Sequence, residues 1–285
     1  MGAAIIGLSQ GMLLFLLAAG LTLIFGLLGV VNLAHGSLYM IGAYVAFQVA
    51  RWSGDFWLAL LVSPLAGAAV GAAMEWLTFR PLYRREHYFQ FLCTLGSLLV
   101  LDECVRMIWG LDYQRVDPPA VLAGSLMVLG LEISTYRLFI IGFGALLCGA
   151  LFLVLERTTL GIVVRAANSN STMVACLGLD VSRIKTGVVA FGAALAALAG
   201  AIAAPLIPVE PTMGFSIIID CFVVVIVGGL GNIGGAVFAA LLLGMTRAFG
   251  EQFVPDWIGV LTYGVLVLTL LLRPQGVFGK GVRAS

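Results

Sequence analysis

Charge is scarce in this sequence. Only 10% of the 285 residues are charged, against 61% that are hydrophobic, and the first charged residue is Arg51. This balance lies far outside that of a soluble domain and excludes a chain that folds in water. The formal net charge of +1 gives no global electrostatic reason to bind nucleic acid. Because no basic cluster precedes the first apolar block, we expect that block to remain a membrane helix rather than a cleaved signal peptide.

Catalytic and metal-binding patterns are missing as well. The chain has two histidines and five cysteines, with no Cys-x-x-Cys pair and no H-E-x-x-H, G-x-S-x-G or P-loop motif. We therefore expect no enzyme activity, no cofactor and no bound metal. The cysteines are interpreted as small packing residues. Any ATP-driven step would need another polypeptide.

The apolar residues come in long blocks rather than in amphipathic stripes. Several blocks reach the roughly 20 residues that a helix needs to cross a bilayer. We predict an all-α, polytopic integral membrane protein with eight to nine transmembrane or half-spanning helices, forming a single domain over residues 1–285. The blocks lie at 3–28, 37–50, 56–78, 90–109, 135–155, 187–207, 217–227, 236–250 and 257–272.

Basic residues predict the orientation, because short cytoplasmic loops carry an excess of Lys and Arg. Three clusters qualify, and alternating sides between them places the N-terminus and the loops at 112–133 and 208–214 outside. The clusters are Arg80, Arg84 and Arg85; Arg157, Arg165, Arg183 and Lys185; and Arg273, Lys280 and Arg283.

The longest cytoplasmic segment covers residues 156–186 and is too polar to enter the membrane. Its mixture of Ala, Leu, Val and Met with Arg, Asn and Ser favours short amphipathic helices that present a docking surface. A solvated connector is the alternative interpretation, since many loops only connect helices.

Two runs of small and polar residues, at 29–36 and at 228–235, interrupt apolar blocks. Irregular backbone at membrane depth is tolerated only where protein or a water-filled cavity satisfies its peptide groups. Paired breaks in the two halves indicate a translocation pathway, whereas close helix packing through glycine is the alternative. The predicted pathway residues are Asn32, His35, Gly36, Gly228, Gly229, Gly231 and Asn232.

Ionisable residues inside apolar blocks are costly and need a partner. Arg106 lies four residues after Asp102 and three after Glu103, which predicts an ion pair on one helix face. Arg247 and Glu251 are also four apart, and we expect them to reach the membrane interface. No basic residue lies within a helical turn of Asp220, so its partner is expected to be tertiary, water or substrate. Asp220 joins the predicted pathway.

Short motifs stand in one order along nearly the whole chain. The two most specific are Asn32-Leu33-Ala34-His35-Gly36 and Arg273-Pro274-Gln275-Gly276. The others are Phe25-Gly26-Leu27, Gly42-Ala43-Tyr44, Phe79-Arg80-Pro81-Leu82, Thr94-Leu95-Gly96, Arg165-Ala166, Ala175, Leu177-Gly178 and Gly228-Gly229-Leu230-Gly231. Together they resemble the permease subunits of the high-affinity branched-chain amino acid ABC transporter family.

This resemblance implies a multi-pass protein of the bacterial inner membrane that moves branched-chain amino acids by ATP-driven alternating access. Besides the lipid bilayer, the implied partners are a second permease subunit, identical or related, two cytoplasmic ATP-binding subunits and a periplasmic solute-binding protein. Residues 156–186 become the segment that couples the permease to the ATPase, with Gly161 and Gly178 permitting tight turns. The implied coupling residues are Gly161, Arg165, Ala166, Ala175 and Gly178.

The sequence departs from the family pattern at two places. Residues 168–171 read Asn-Ser-Asn-Ser where members often carry acidic residues, which bears on the choice of ATPase. Asp220 occupies a position where many members have lysine, and a carboxylate there would invert the local field. One alternative is a permease of the same family for urea, amides or organic or aromatic acids. Another is a passive channel, which would share the glycine breaks and sparse charges but would need no docking loop.

Overall fold

The computed structural model describes residues 2–83, 85–128 and 131–279. Arg84, Lys280 and Arg283, used above to predict the orientation, lie outside the described residues. Within those ranges the chain forms eleven helices and one β-hairpin. They are α1 Gly2–Leu28, α2 His35–Ser53, α3 Phe56–Leu82, α4 His87–Trp109, β1 Ser125–Val128, β2 Leu131–Ser134, α5 Thr135–Arg157, α6 Thr159–Ser169, α7 Ser171–Cys176, α8 Val181–Ala203, α9 Met213–Gly228, α10 Ile233–Phe253 and α11 Ile258–Leu272.

The all-α membrane fold is confirmed, but the count of eight to nine membrane helices is not. In the described part of the chain, six helices are long and apolar enough to cross a membrane, namely α1, α3, α5, α8, α10 and α11. Helix α9 is apolar but has only 16 residues. The total rises to eleven because α6 and α7 fold inside the polar segment 156–186, which contributed no apolar block to the predicted count.

Helices α1 and α8 form the centre of the bundle, and α2, α3 and α10 pack around them. Both central helices are rich in Ala, Gly and Leu. Inside a bilayer the lipid tails are as apolar as leucine, so helices associate through close packing rather than through a hydrophobic driving force. Small side chains let the backbones approach, and this explains why these two sequences occupy the centre.

Glycine is required where α8 crosses its neighbours. A Cβ atom added to Gly200 of α8 would overlap the carbonyl oxygen of Tyr39 in α2. One added to Gly20 of α1 would overlap the carbonyl oxygen of Gly192 in α8. At these crossings backbone touches backbone, and no other residue type fits without displacing a helix.

The loops lie at two opposite ends of the helix bundle. Backbone bonds of 2.9 Å between Gln114 and Val209 join the α4–α5 loop to the α8–α9 loop, so the two loops predicted to face outside lie together. We call this the hairpin end, because β1 and β2 belong to the same α4–α5 connection. Helices α6 and α7 follow α5 at the opposite end, which we call the coupling end. That the hairpin end faces outward stays a prediction.

Replacing Gly200 by alanine tests the close crossing of α8 and α2. We expect Gly200→Ala to destabilise the protein by about 1–3 kcal/mol or more, because the added methyl group forces two backbones apart. Gly142 in α5 is the matched control, since its added Cβ would meet no atom within 4 Å. Gly142→Ala should be neutral or slightly stabilising, because alanine favours helix. Thermal unfolding in detergent measures both, and equal midpoints would contradict the packing described here.

Candidate translocation and coupling site

The first helix break buries polar side chains that lack partners. Asn32 and His35 have no exposed surface, and Nε2 of His35 lies 3.0 Å from the carbonyl oxygen of Leu17. Within the described chain, Nδ1 of His35 and both amide atoms of Asn32 have no hydrogen-bond partner. A buried polar group without a partner is costly. The break therefore offers hydrogen-bonding groups to a water molecule or a polar solute.

The start of α2 is otherwise tightly packed. A Cβ atom on Gly36 would overlap the carbonyl oxygen of Gly214 at the start of α9, so Gly36 serves close packing. The hydroxyl of the next residue, Ser37, donates to Oδ1 of Asp102 in α4 at 2.7 Å. Asp102 therefore points into the bundle. The ion pair predicted for this set is confirmed between Arg106 and Glu103, on the exposed side, at 3.5 Å.

The second break is a tight turn between α9 and α10. Gly229 and Gly231 have φ angles of +101° and +78°, a left-handed backbone that favours glycine. Gly228 packs backbone to backbone against Gly235. Asn232 caps α10, because its Oδ1 accepts from the N–H of Gly235 at 3.0 Å and its Nδ2 donates to the carbonyl oxygen of Phe278 at 2.8 Å. These contacts match the close-packing alternative, and a pathway role for the four predicted residues stays a prediction.

A cleft of about 750 Å³ opens at the coupling end. It lies between the end of α1, the end of α5, helix α6 and the turn between α9 and α10. Gly231 and Asn232 of the second break line this cleft together with Arg165 of the predicted coupling set. Asn32, His35 and Gly36 do not line it, and neither do Gly228 and Gly229. The structure therefore places only two of the predicted pathway residues at the cleft.

The coupling segment is built from two capped helices. The Oγ1 atom of Thr158 accepts from the N–H of Gly161 at 3.3 Å and starts α6, and Oδ1 of Asn170 accepts from Met173 at 2.9 Å and starts α7. Asp180 caps α8 in the same way, accepting from the N–H of Ser182 at 3.0 Å. Short polar side chains thus set each helix start within a segment that has no long apolar block.

Three implied coupling residues differ in their local roles. Gly178 has a φ of +81° and makes the turn after α7, as expected. Gly161 does not make a turn; it lies within α6, where a side chain would overlap the carbonyl oxygen of Leu155. Arg165 donates to that same carbonyl and lies 3.9 Å from Glu156, so it braces α6 against the end of α5.

Large apolar side chains of the coupling segment remain exposed. Leu160 of α6 is 69% exposed, and Leu177, which follows α7, is 74% exposed. Ile162, Met173 and Leu179 are exposed too, as are Ala166 and Ala175 of the implied coupling set. Large exposed apolar groups on a polar segment are typical of an interaction surface. We call these seven residues the coupling surface.

Asp220 has a tertiary partner that lies far from it in the sequence. Arg247 of α10 binds both of its carboxylate oxygens, with Nη1 donating to Oδ2 at 2.6 Å. The two side chains are only 15% and 24% exposed. Arg247 was expected to accompany Glu251 at the membrane interface, and this prediction is wrong because α9 and α10 form an antiparallel pair that brings Asp220 within its reach. The pair neutralises both charges, so Asp220 does not invert the local field.

The sequence analysis missed Glu75, the single charged residue in the apolar block at 56–78. Its side chain is completely buried, and it accepts hydrogen bonds from the hydroxyls of Tyr83 at 2.7 Å and Thr186 at 2.6 Å. A lone carboxylate within an apolar block is itself a signal of a functional or paired group, so the sequence did contain the clue.

Comparison with known proteins decides the family. Residues 3–270 match the family described as branched-chain amino acid transport system / permease component. The chain belongs to this family. It is 31% identical to the high-affinity branched-chain amino acid transport system permease protein BraD of Pseudomonas aeruginosa, over 96% of this chain and 94% of BraD.

Two Escherichia coli K12 proteins named as permeases of the high-affinity branched-chain amino acid transport system are similar as well. LivH is 28% identical over 96% of this chain and 94% of its own length. LivM is 28% identical over 93% of this chain and 68% of its own length. No solved structure matches the chain significantly. The chain is thus a multi-pass inner-membrane permease component of an ABC transporter family, and it is not an enzyme.

The ion pair between Asp220 and Arg247 gives a stability prediction for this permease. Arg247→Gln should cost about 3 kcal/mol, because it leaves a mostly buried carboxylate without its counter-charge. The double variant Asp220→Asn with Arg247→Gln should cost less than the sum of the two single changes. The control is Arg183→Gln, which breaks an exposed 3.1 Å pair with Asp180 and should cost under about 1 kcal/mol. Additive losses in detergent unfolding would show that the pair is not energetically coupled.

Proposed function

We propose that this permease is one of two membrane subunits of an ABC importer that moves branched-chain amino acids by alternating access. The names of BraD and LivH, each similar to this chain over 96% of its length, support the substrate class. Escherichia coli K12 has both LivH and LivM, two different permeases named for one transport system. This supports a related rather than an identical second permease for the present chain.

The coupling surface is the observation that carries the proposal. Seven small or apolar residues stand exposed on α6, α7 and the turn that follows, although neither helix is long enough to cross a membrane. A connector has no need of such a surface, whereas a docking element does. The sequence lacks a P-loop, so ATP must be bound elsewhere. We infer that two cytoplasmic ATP-binding subunits cover these surfaces, one on each permease, and that a periplasmic solute-binding protein delivers the solute at the hairpin end.

The solute pathway is proposed to pass the first break. Asn32 and His35 supply buried hydrogen-bonding atoms with no partner in the described chain, and Gly36 keeps α2 and α9 in contact beside them. Gly231 and Asn232 line the cleft at the coupling end, where a solute would leave, and Gly228 and Gly229 form the start of the same turn. Asp220 is proposed to hold α9 against α10 beside this route, because Arg247 already occupies both carboxylate oxygens.

The Asp220–Arg247 pair also bears on the choice of solute. An unpaired carboxylate would argue against solutes with a bare carboxylate group, since like charges repel. Arg247 removes that objection by supplying the opposite charge at the same place. The pair therefore leaves carboxylate-bearing solutes open, and among the possible substrates the names of BraD and LivH favour branched-chain amino acids.

Reconstitution into liposomes tests this function. We expect ATP-dependent uptake of leucine, isoleucine and valine only when the permease is combined with its second permease, the ATP-binding subunits and the binding protein. The permease alone is the matched control and should show none, because it has no nucleotide site of its own. Equal uptake by the permease alone would favour a passive channel. Uptake of urea, amides or aromatic acids in preference to leucine would favour the alternative substrates.

A further inference from the structure

A buried carboxylate joins α3 to the first turns of α8 at the coupling end. The hydroxyl of Tyr83 donates to Oε1 of Glu75, and the hydroxyl of Thr186 donates to Oε2, at 2.7 and 2.6 Å. Tyr83 belongs to the α3–α4 turn and Thr186 to α8. Because Glu75 is fully buried, these bonds are costly to break without replacement. Three elements are therefore held by one side chain.

A cation completes this cluster. The ammonium nitrogen of Lys185 lies 4.0 Å from the centre of the Tyr83 ring, in a cation–π contact, and within electrostatic range of Glu75. Burial, and then the bond to Glu75, raise the pKa of Tyr83 above its ordinary value, so its hydroxyl stays protonated and remains a donor. Glu75, Tyr83, Lys185 and Thr186 thus form one connected network across the α3–α8 contact.

The backbone at Glu75 is unusual too. Residues Glu75–Phe79 form a π-helical turn inside α3, in which the N–H of Arg80 bonds to the carbonyl of Glu75. Such turns are rare and occur frequently at functional sites. Converting the turn to α-helix would rotate the remainder of α3 by about 100°, the angle of one helical residue. Glu75 therefore lies at the point of α3 where the backbone hydrogen-bonding pattern changes.

The network also lies next to the coupling segment. Lys185 and Thr186 come only a few residues after Gly178 and the coupling surface, so the start of α8 carries a displacement of α7 to them. Farther along, Gly67 and Gly71 of α3 lie against alanines of α8, so the middle of this helix pair is closely packed. We propose that Glu75 is the positioning residue that passes movement of the coupling segment to α3 and to the α3–α4 turn, an inference that rests on the proposed function.

The number of ATP molecules hydrolysed per solute tests this inference in the complete complex in proteoliposomes. Thr186→Val removes one donor and Glu75→Gln removes the charge while keeping the shape. We expect each to raise the ratio about fivefold or more, in the range of ordinary coupling between sites. Thr186→Ser, which keeps the hydroxyl, should restore the wild-type ratio. Thr269→Val is the matched control, because that hydroxyl bonds only within its own helix, to Val265.

The results distinguish a failure of the role of Glu75 from a failure of the proposed function. If the Thr186→Val complex does not assemble, Tyr83→Phe replaces it. This change deletes the other donor to Glu75 and is expected to raise the same ratio of ATP hydrolysed per solute. Assembled Thr186→Val and Tyr83→Phe complexes with an unchanged ratio would overturn the role of Glu75 while the wild type still transports. A wild-type complex that takes up no amino acid when ATP is supplied would overturn the proposed function, and this inference with it.

Discussion

Everything else in this structure depends on backbone contact between α8 and the three helices around it, α1, α2 and α3. Glycines at the crossings remove side chains so that carbonyl groups of one helix touch the backbone of the next. Each glycine costs about 1 kcal/mol of helix propensity relative to alanine. The dispersion gained over such close surfaces offsets that cost, since lipid supplies no hydrophobic driving force between helices.

A centre packed this closely has few intermediate arrangements, because packed interiors switch between discrete states rather than deform continuously. Movement is then left chiefly to α6 and α7, which lie outside this packed centre. Polar contacts link these parts to the centre. Arg165 braces α6 on α5, and Thr186 carries a bond from α8 to Glu75. Such contacts suit the proposed mechanism, in which a push from the cytoplasm becomes a shift of whole helices.

The sequence predicted the elements that depend on local patterns. Apolar runs located the membrane helices, because each run must be long enough to cover the bilayer. The polar segment 156–186 was correctly expected to form short helices, and its cap residues explain where they begin. The family also followed from the order of its motifs. The left-handed glycine at Gly178 was recognisable in advance as well, because a helix end favours that residue.

The contacts that were missed join residues far apart in the chain. Asp220 and Arg247 are 27 residues apart, Ser37 and Asp102 are 65 apart, and Glu75 and Thr186 are 111 apart. Helical spacing placed Arg247 beside Glu251, but its partner in the fold is Asp220 on another helix. No single-chain pattern reveals which helix faces which, so these pairs required the folded bundle.

Cross-linking from native Cys176 tests the central claim, that α6 and α7 meet an ATP-binding subunit. Cys176 is exposed in α7, and Cys104, exposed in α4, is the internal control. A photoactivatable probe on Cys176 of a Cys104→Ser chain should capture an ATP-binding subunit in the assembled complex, whereas the same probe on Cys104 of a Cys176→Ser chain should not. An assembled, ATP-hydrolysing complex in which the Cys176 probe captures no ATP-binding subunit would contradict the account.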